Sequence, residues 1–103
     1  MMFKLWVDDE RKIPDGYDCW AHTYDEAVNA INTQISPTLY SLFIDFDHDL
    51  GEGKSGYDFA KWLLENGYCG QFAIHSMNPV GAINIRQLLT HYGWEEVNIK
   101  FYV

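Results

Sequence analysis

The apolar positions of this chain fall in short runs, and most of those runs break off in acidic or imidazole residues. Phe3–Val7 is largely apolar and ends at Asp8 and Asp9, which predicts a buried first strand. Pro14-Asp15-Gly16 then marks a turn, since proline presets φ and glycine tolerates positive φ. Tyr17–His22 predicts a weaker second strand. Thr23 with Glu26 three positions later forms a capping box and opens a helix over 24–35, with Ala27, Ala30 and Ile31 on its apolar face. Ser36-Pro37 closes it.

Leu39–Ile44 is almost continuously apolar, as a strand covered on both faces requires. It runs into Asp45-Phe46-Asp47-His48-Asp49. A glycine-rich loop, Leu50–Lys54, leads to Ser55 as N-cap, with Asp58 in the first turn of a helix over 56–66. Phe59, Trp62 and Leu63 are its core face and Gly67 its stop. Gln71–His75 predicts a fourth strand, followed by Ser76-Met77-Asn78-Pro79. Asn78 as N-cap and Pro79 as first helical residue start a helix over 79–92, with Ile85, Leu88, Leu89 and Tyr92 toward the core. Val97–Val103 predicts a last strand. Strands alternating with helices of these lengths imply a doubly wound α/β fold with a mainly parallel five-stranded sheet. The segment before the second strand is too short for an ordinary crossover helix, so a first helix is degenerate or missing; the second strand either runs parallel after a stretched loop, the favoured reading, or pairs antiparallel as a hairpin.

The 103 residues suffice for a single domain over 1–103. With 48% hydrophobic and 17% aromatic residues, the chain has the means to bury a core. No apolar run reaches the roughly 18 residues that span a bilayer, and no basic leader precedes the first strand, so a cytoplasmic protein without membrane contact is expected. Fifteen acidic against seven basic residues give a net charge of −8, which disfavours general binding to DNA, RNA or anionic membranes. An anionic ligand would need a local cation: a bound metal, Arg11, Lys54, Lys100 or a helix N-terminus. Cys19 and Cys69 lack metal-site spacing and are expected to be ordinary half-buried thiols.

In parallel sheets ligands bind beyond the carboxyl ends of the strands, and that is where the polar clusters fall: Asp8-Asp9, Asp47-His48-Asp49 and His75-Ser76. Crowded carboxylates repel, and a hard divalent ion such as Mg²⁺ or Mn²⁺ suits their oxygens. The same residues also suit a solvated turn, a loop cap and a core histidine, and the four tryptophans suit a core.

Three segments in order carry a specific resemblance. Leu5-Trp6-Val7-Asp8-Asp9-Glu10-Arg11, Asp47-His48-Asp49-Leu50-Gly51 with Ser55-Gly56-Tyr57-Asp58, and His75-Ser76-Met77-Asn78-Pro79-Val80-Gly81 resemble the cyclic-phosphate-processing receiver domain family over almost the whole chain. The resemblance implies a receiver-like, flavodoxin-like sheet and processing of a cyclic phosphate on a nucleotide or RNA end. It sets Asp8 and Asp9 at a receiver's metal-binding acidic pair, Asp47 near the phosphorylatable aspartate, and His75 or Ser76 at the hydroxyl position after the fourth strand. Lys100 stands near the strand-five lysine, without the proline that follows it in receivers. His48 and His75 depart from ordinary receivers. An imidazole's unperturbed pKa of about 6.5 suits general acid–base work at neutral pH.

The resulting expectation is a phosphoesterase in which His48 and His75 are acid and base. Asp8, Asp9 and Asp47 hold the ion, Asp49 orients His48, and Arg11, Ser76 and Asn78 bind the phosphate. A phosphoaccepting or phosphate-binding switch is the alternative. An acidic adaptor or inhibitor is a third reading.

Overall fold

The computed structural model describes residues 2–35 and 41–98. Its strands are β1 (Met2–Val7), β2 (Cys19–Ala21), β3 (Ser41–Phe46), β4 (Gly70–Ile74) and β5 (Glu95–Glu96), and its helices α1 (Tyr24–Gln34), α2 (Gly56–Glu65) and α3 (Pro79–His91). Every strand pair is parallel and the order is β2-β1-β3-β4-β5. This is the expected doubly wound, receiver-like order, with its switch point between β1 and β3.

The helices start where the capping residues put them. Thr23 accepts the Glu26 amide, Ser55 and Asp58 form a reciprocal capping box, and Asn78 accepts the Gly81 amide with Pro79 next to it. Steps from β2 to β3, β3 to β4 and β4 to β5 run in one direction across the sheet, so right-handed crossovers set all three helices on one face. Accordingly Ala27, Ile31, Phe59, Leu63, Ile85 and Leu89 share one core with Phe3, Leu5, Val7, Leu42, Ile44, Phe46 and Phe72, alternate residues of three strands.

The step from β1 to β2 runs the other way, and its connection, residues 8–18, contains no helix. That segment is a strap over the second face. Tyr17 meets Trp6 edge-on at 5.3 Å between ring centroids and Phe43 at 6.1 Å. Beneath it Trp6, Phe43, Asp45 and Ala73 are all buried.

Five expectations need correction. β3 runs on to Phe46 and takes Asp45 into the sheet, because Asp45 and Phe46 continue the ladder opposite Trp6 and Val7. β2 is three residues rather than six. The last strand begins at Glu95, not Val97: Trp94 buries its ring and donates Nε1–H to the Tyr68 carbonyl, which brings Glu95 and Glu96 against Gln71 and Phe72. The edge position leaves Glu95 in water and lets Glu96 pair with Arg86. Val97 and Asn98 lie past β5, while residues 99–103, Lys100 included, fall outside the described residues, as do Ser36 to Tyr40. Tyr92, expected in the core, is the C-cap of α3 and exposed. Both cysteines are free, Cys69 exposed rather than half-buried. No described helix is long and apolar enough to cross a membrane.

Candidate active site at the carboxyl edge of the sheet

The site is set by one more rung of ladder beyond each strand. Asp8 donates its amide to the Ala21 carbonyl at 3.1 Å, Asp47 to Val7 at 2.9 Å and His75 to Phe46 at 3.0 Å. Asp8, Asp47 and His75 therefore stand side by side where β1, β3 and β4 end, and an atom of each lies within 4.8 Å of the others. Asp8 and Asp47 meet at one edge, as expected. Asp9 lines the same cleft, near Gly51, and stands apart from this close group.

Asp8 is buried, and its carboxylate is well supplied with donors. Oδ1 accepts the amides of Glu10 at 2.8 Å and Arg11 at 2.7 Å, and Oδ2 is 2.9 Å from His75 Nε2. The other ring nitrogen, Nδ1, lies 2.6 Å from Asp45 Oδ1, and Asp45 Oδ2 accepts the Tyr17 hydroxyl at 2.5 Å. Both ring nitrogens are thus engaged by buried carboxylates. Trp6 stacks on this ring at 3.8 Å and 6°. The His75 side chain is 3% exposed, bonded at both nitrogens and covered on a face.

Asp47 is half-buried. Desolvation, then the nearby Asp8 charge, push its carboxyl above the usual aspartate range, partly opposed by His75, the Ser76 hydroxyl and the Asp49 amide. Two adjacent carboxylates, one of them held above its ordinary value by burial and by the other, are a donor set of hard oxygens that a divalent cation fits.

The cleft over these groups has a volume of about 340 Å³ and includes Arg11, Asp49 and Met77 in its lining. Arg11 is exposed, with one guanidinium nitrogen bonded to the His75 carbonyl at 2.6 Å and its own carbonyl accepting Trp6 Nε1–H at 3.0 Å. His48 Nδ1 is 3.0 Å from Asp49 Oδ1, and this bond chiefly holds Asp49 below the usual carboxylate range. Asn78 is committed to capping α3 and reaches Asp49 Oδ2 at 3.4 Å, while its amide donates to Ser76 Oγ at 3.0 Å.

Sequence reasoning missed Asp45 and Tyr17. An aspartate two residues before Asp47 shares its face of the strand, a usable signal once β3 is extended to Phe46. Nothing in the local pattern around Tyr17 marks it.

The sequence model of the cyclic-phosphate processing receiver domain family matches residues 3–91. The chain belongs to that family. The contacts explain its motif residues: Trp6 stacks on His75, Asp8 bonds it, Arg11 holds its carbonyl, and Gly81 makes room for His48. No curated protein matches the chain. Among solved structures it is similar to one described as a yeast Spc42 trimeric coiled-coil segment fused to another structure, at 21% identity and a TM-score of 0.58, over 97% of this chain and 73% of that one. At that identity the likeness bears on fold alone.

Proposed function

We propose that this domain opens a cyclic phosphate, on a nucleotide or an RNA end, in the cleft beyond β1 and β3. The observation that carries the reading is the Asp8–Asp47 pair at the switch point, facing a cleft that also holds Arg11. A phosphodiester anion would meet net negative charge there without a counter-ion, so a Mg²⁺- or Mn²⁺-class ion held by Asp8 and Asp47, with Asp9 nearby, belongs to the reading. Such an ion supplies charge neutralisation at the phosphoryl oxygens.

The chain's own residues do the rest. Arg11 is tethered through one guanidinium nitrogen and offers its remaining N–H groups to the phosphate. His48 is held through Nδ1 by Asp49, which leaves Nε2 to take a proton from the attacking water. The new P–O bond forms as one ring ester P–O bond breaks, and the freed alkoxide takes a proton from solvent. His75, engaged at both nitrogens, holds Asp8 instead of moving protons to substrate. The cytoplasmic setting expected from the sequence suits such substrates.

One feature favours the alternative of a phosphoaccepting switch: the Ser76 hydroxyl after β4 acts on the Asp47 carboxyl after β3 and lowers its pKa, as in the hydroxyl–aspartate arrangement of receivers. A screen of 2′,3′- and 3′,5′-cyclic phosphates with and without Mg²⁺ or Mn²⁺, alongside incubation with a small phosphodonor, separates the two. Turnover supports the esterase. A stable acyl phosphate on Asp47 without turnover replaces it with the switch.

A further inference from the structure

The reaction above gives no role to the buried acid Asp45 or to Tyr17, yet both are tied to the same imidazole. We propose that Tyr17 and Asp45 are positioning residues that set the affinity of Asp8 for a divalent cation, acting through His75. This deepens the proposed function and rests on its assignment of a cation to Asp8 and Asp47.

The four groups form one unbroken chain. The Tyr17 hydroxyl donates to Asp45 Oδ2, Asp45 Oδ1 pairs with His75 Nδ1, and His75 Nε2 pairs with Asp8 Oδ2. Each link fixes a different degree of freedom. Trp6, stacked 6° from parallel, holds the plane of the imidazole. The bond to Asp45 fixes the ring's rotation within that plane, and so the direction in which Nε2 donates.

Two amides pin Asp8 Oδ1, leaving Oδ2 with one lone pair for His75 and one for a cation. A ring rotated by loss of its far anchor would donate along a different line and present that second lone pair differently. Asp45 is 1% exposed, so water does not readily replace the Tyr17 hydroxyl as its donor. The control reaches into the strap as well. Asp8 opens the 8–18 segment and Tyr17 lies near its end, so the segment that stands in place of a crossover helix ties its distal end back to the metal-facing acid at its start.

The test is isothermal titration of folded, metal-free protein with Mn²⁺, using wild type, Tyr17→Phe, Asp45→Asn and Leu88→Ala. Tyr17→Phe keeps the ring and removes the donor. Asp45→Asn keeps the shape and removes the charge. Leu88→Ala, on α3, lowers stability away from the strap and shows what a general loss of stability does. Loss of an outer-shell partner typically weakens metal binding about 10–100-fold, and that is the expected result for Tyr17→Phe and Asp45→Asn, with Leu88→Ala binding as wild type does. If both strap-side variants bind within twofold of wild type, the positioning role is overturned while the cation remains. If wild type takes up no Mn²⁺, the cation assignment itself fails and this inference with it.

Discussion

A Cβ built on Gly81 would stand 2.3 Å from Cγ of His48, so the imidazole occupies the space that any larger residue at 81 would claim. The first turn of α3 is thus a seat for the His48–Asp49 pair, with Asn78 touching Asp49 from the same turn. Gly81→Ala forces either the ring or the helix to move. The overpacking should cost about 1–3 kcal/mol of stability. It should also lower kcat more than it raises KM if the displaced His48, as proposed, handles a proton rather than binding the phosphate. Steady-state kinetics on a cyclic phosphate, with melting temperature measured in parallel, checks both effects.

Asp47 gives a pH signature of defined sign. Its folded-state pKa is raised, first by burial and then by Asp8, so the folded state holds its proton more tightly than the unfolded chain does. Asp47 therefore makes stability fall as pH rises from the ordinary aspartate value through the raised one, and the loss is complete above that. In metal-free protein Asp47→Asn should melt above wild type at pH 7, and the difference should shrink as the pH is lowered toward 4. A variant that melts with or below wild type at pH 7 would show that the Asp8–Asp47 repulsion is already relieved by other groups.

A cation bound by this pair would reverse that penalty. At a hundredfold excess over its dissociation constant, an ion that binds only the folded state adds about 2.7 kcal/mol. For a domain of this size each kcal/mol is worth about 4–8 °C in Tm. Wild type should accordingly gain about 10–20 °C in saturating Mn²⁺, and the Asp8→Asn, Asp9→Asn double variant little. Equal gains in the two proteins would remove the metal from the site.

Much of this site is legible in the sequence, because a short apolar run that stops at an acid announces both a buried strand and what stands at its end. Asp8 follows from that pattern directly, Asp47 from the polar cluster that follows the third run, and parallel pairing then brings the two together. Asp45 is hidden by the same rule, since a charged residue reads as the end of a strand when here it is an interior residue whose partners come from β4 and the strap. Those partners lie 30 and 28 residues away, beyond the reach of any local pattern. His75 illustrates the converse case. Its residue type and place suggest proton transfer, whereas two carboxylates and a stacked indole, all contributed by distant segments, engage both ring nitrogens and one face. The edge strand β5 is obscured because acidic residues are common on edges and carry little strand signal.

The two histidines therefore separate cleanly in their predicted behaviour. His48 is partly exposed, bonded through one nitrogen, and seated on α3, so His48→Ala should fold nearly as wild type does and lose turnover by roughly 10²–10⁴-fold, the usual contribution of general acid–base catalysis. His75→Ala removes the partner of two carboxylates that are each 1% exposed. Breaking a buried pair from one side typically costs about 3–5 kcal/mol, and here Asp8 and Asp45 would face each other across the space left by the ring, under a Trp6 that has lost its stacking partner. The melting temperature of His75→Ala should consequently fall by well over 10 °C at neutral pH. Arg11→Ala is the third arm, raising KM for a cyclic phosphate while leaving the melting curve nearly in place, because its side chain is exposed and its single hydrogen bond is to a backbone carbonyl. Thermal melts from pH 4 to 8 alongside kinetics for the three variants make the comparison. A His75→Ala protein that folds as stably as wild type and loses only turnover would return His75 to the acid–base role. A fully active His48→Ala protein would take the base out of the reaction and leave the acidic pair to carry it.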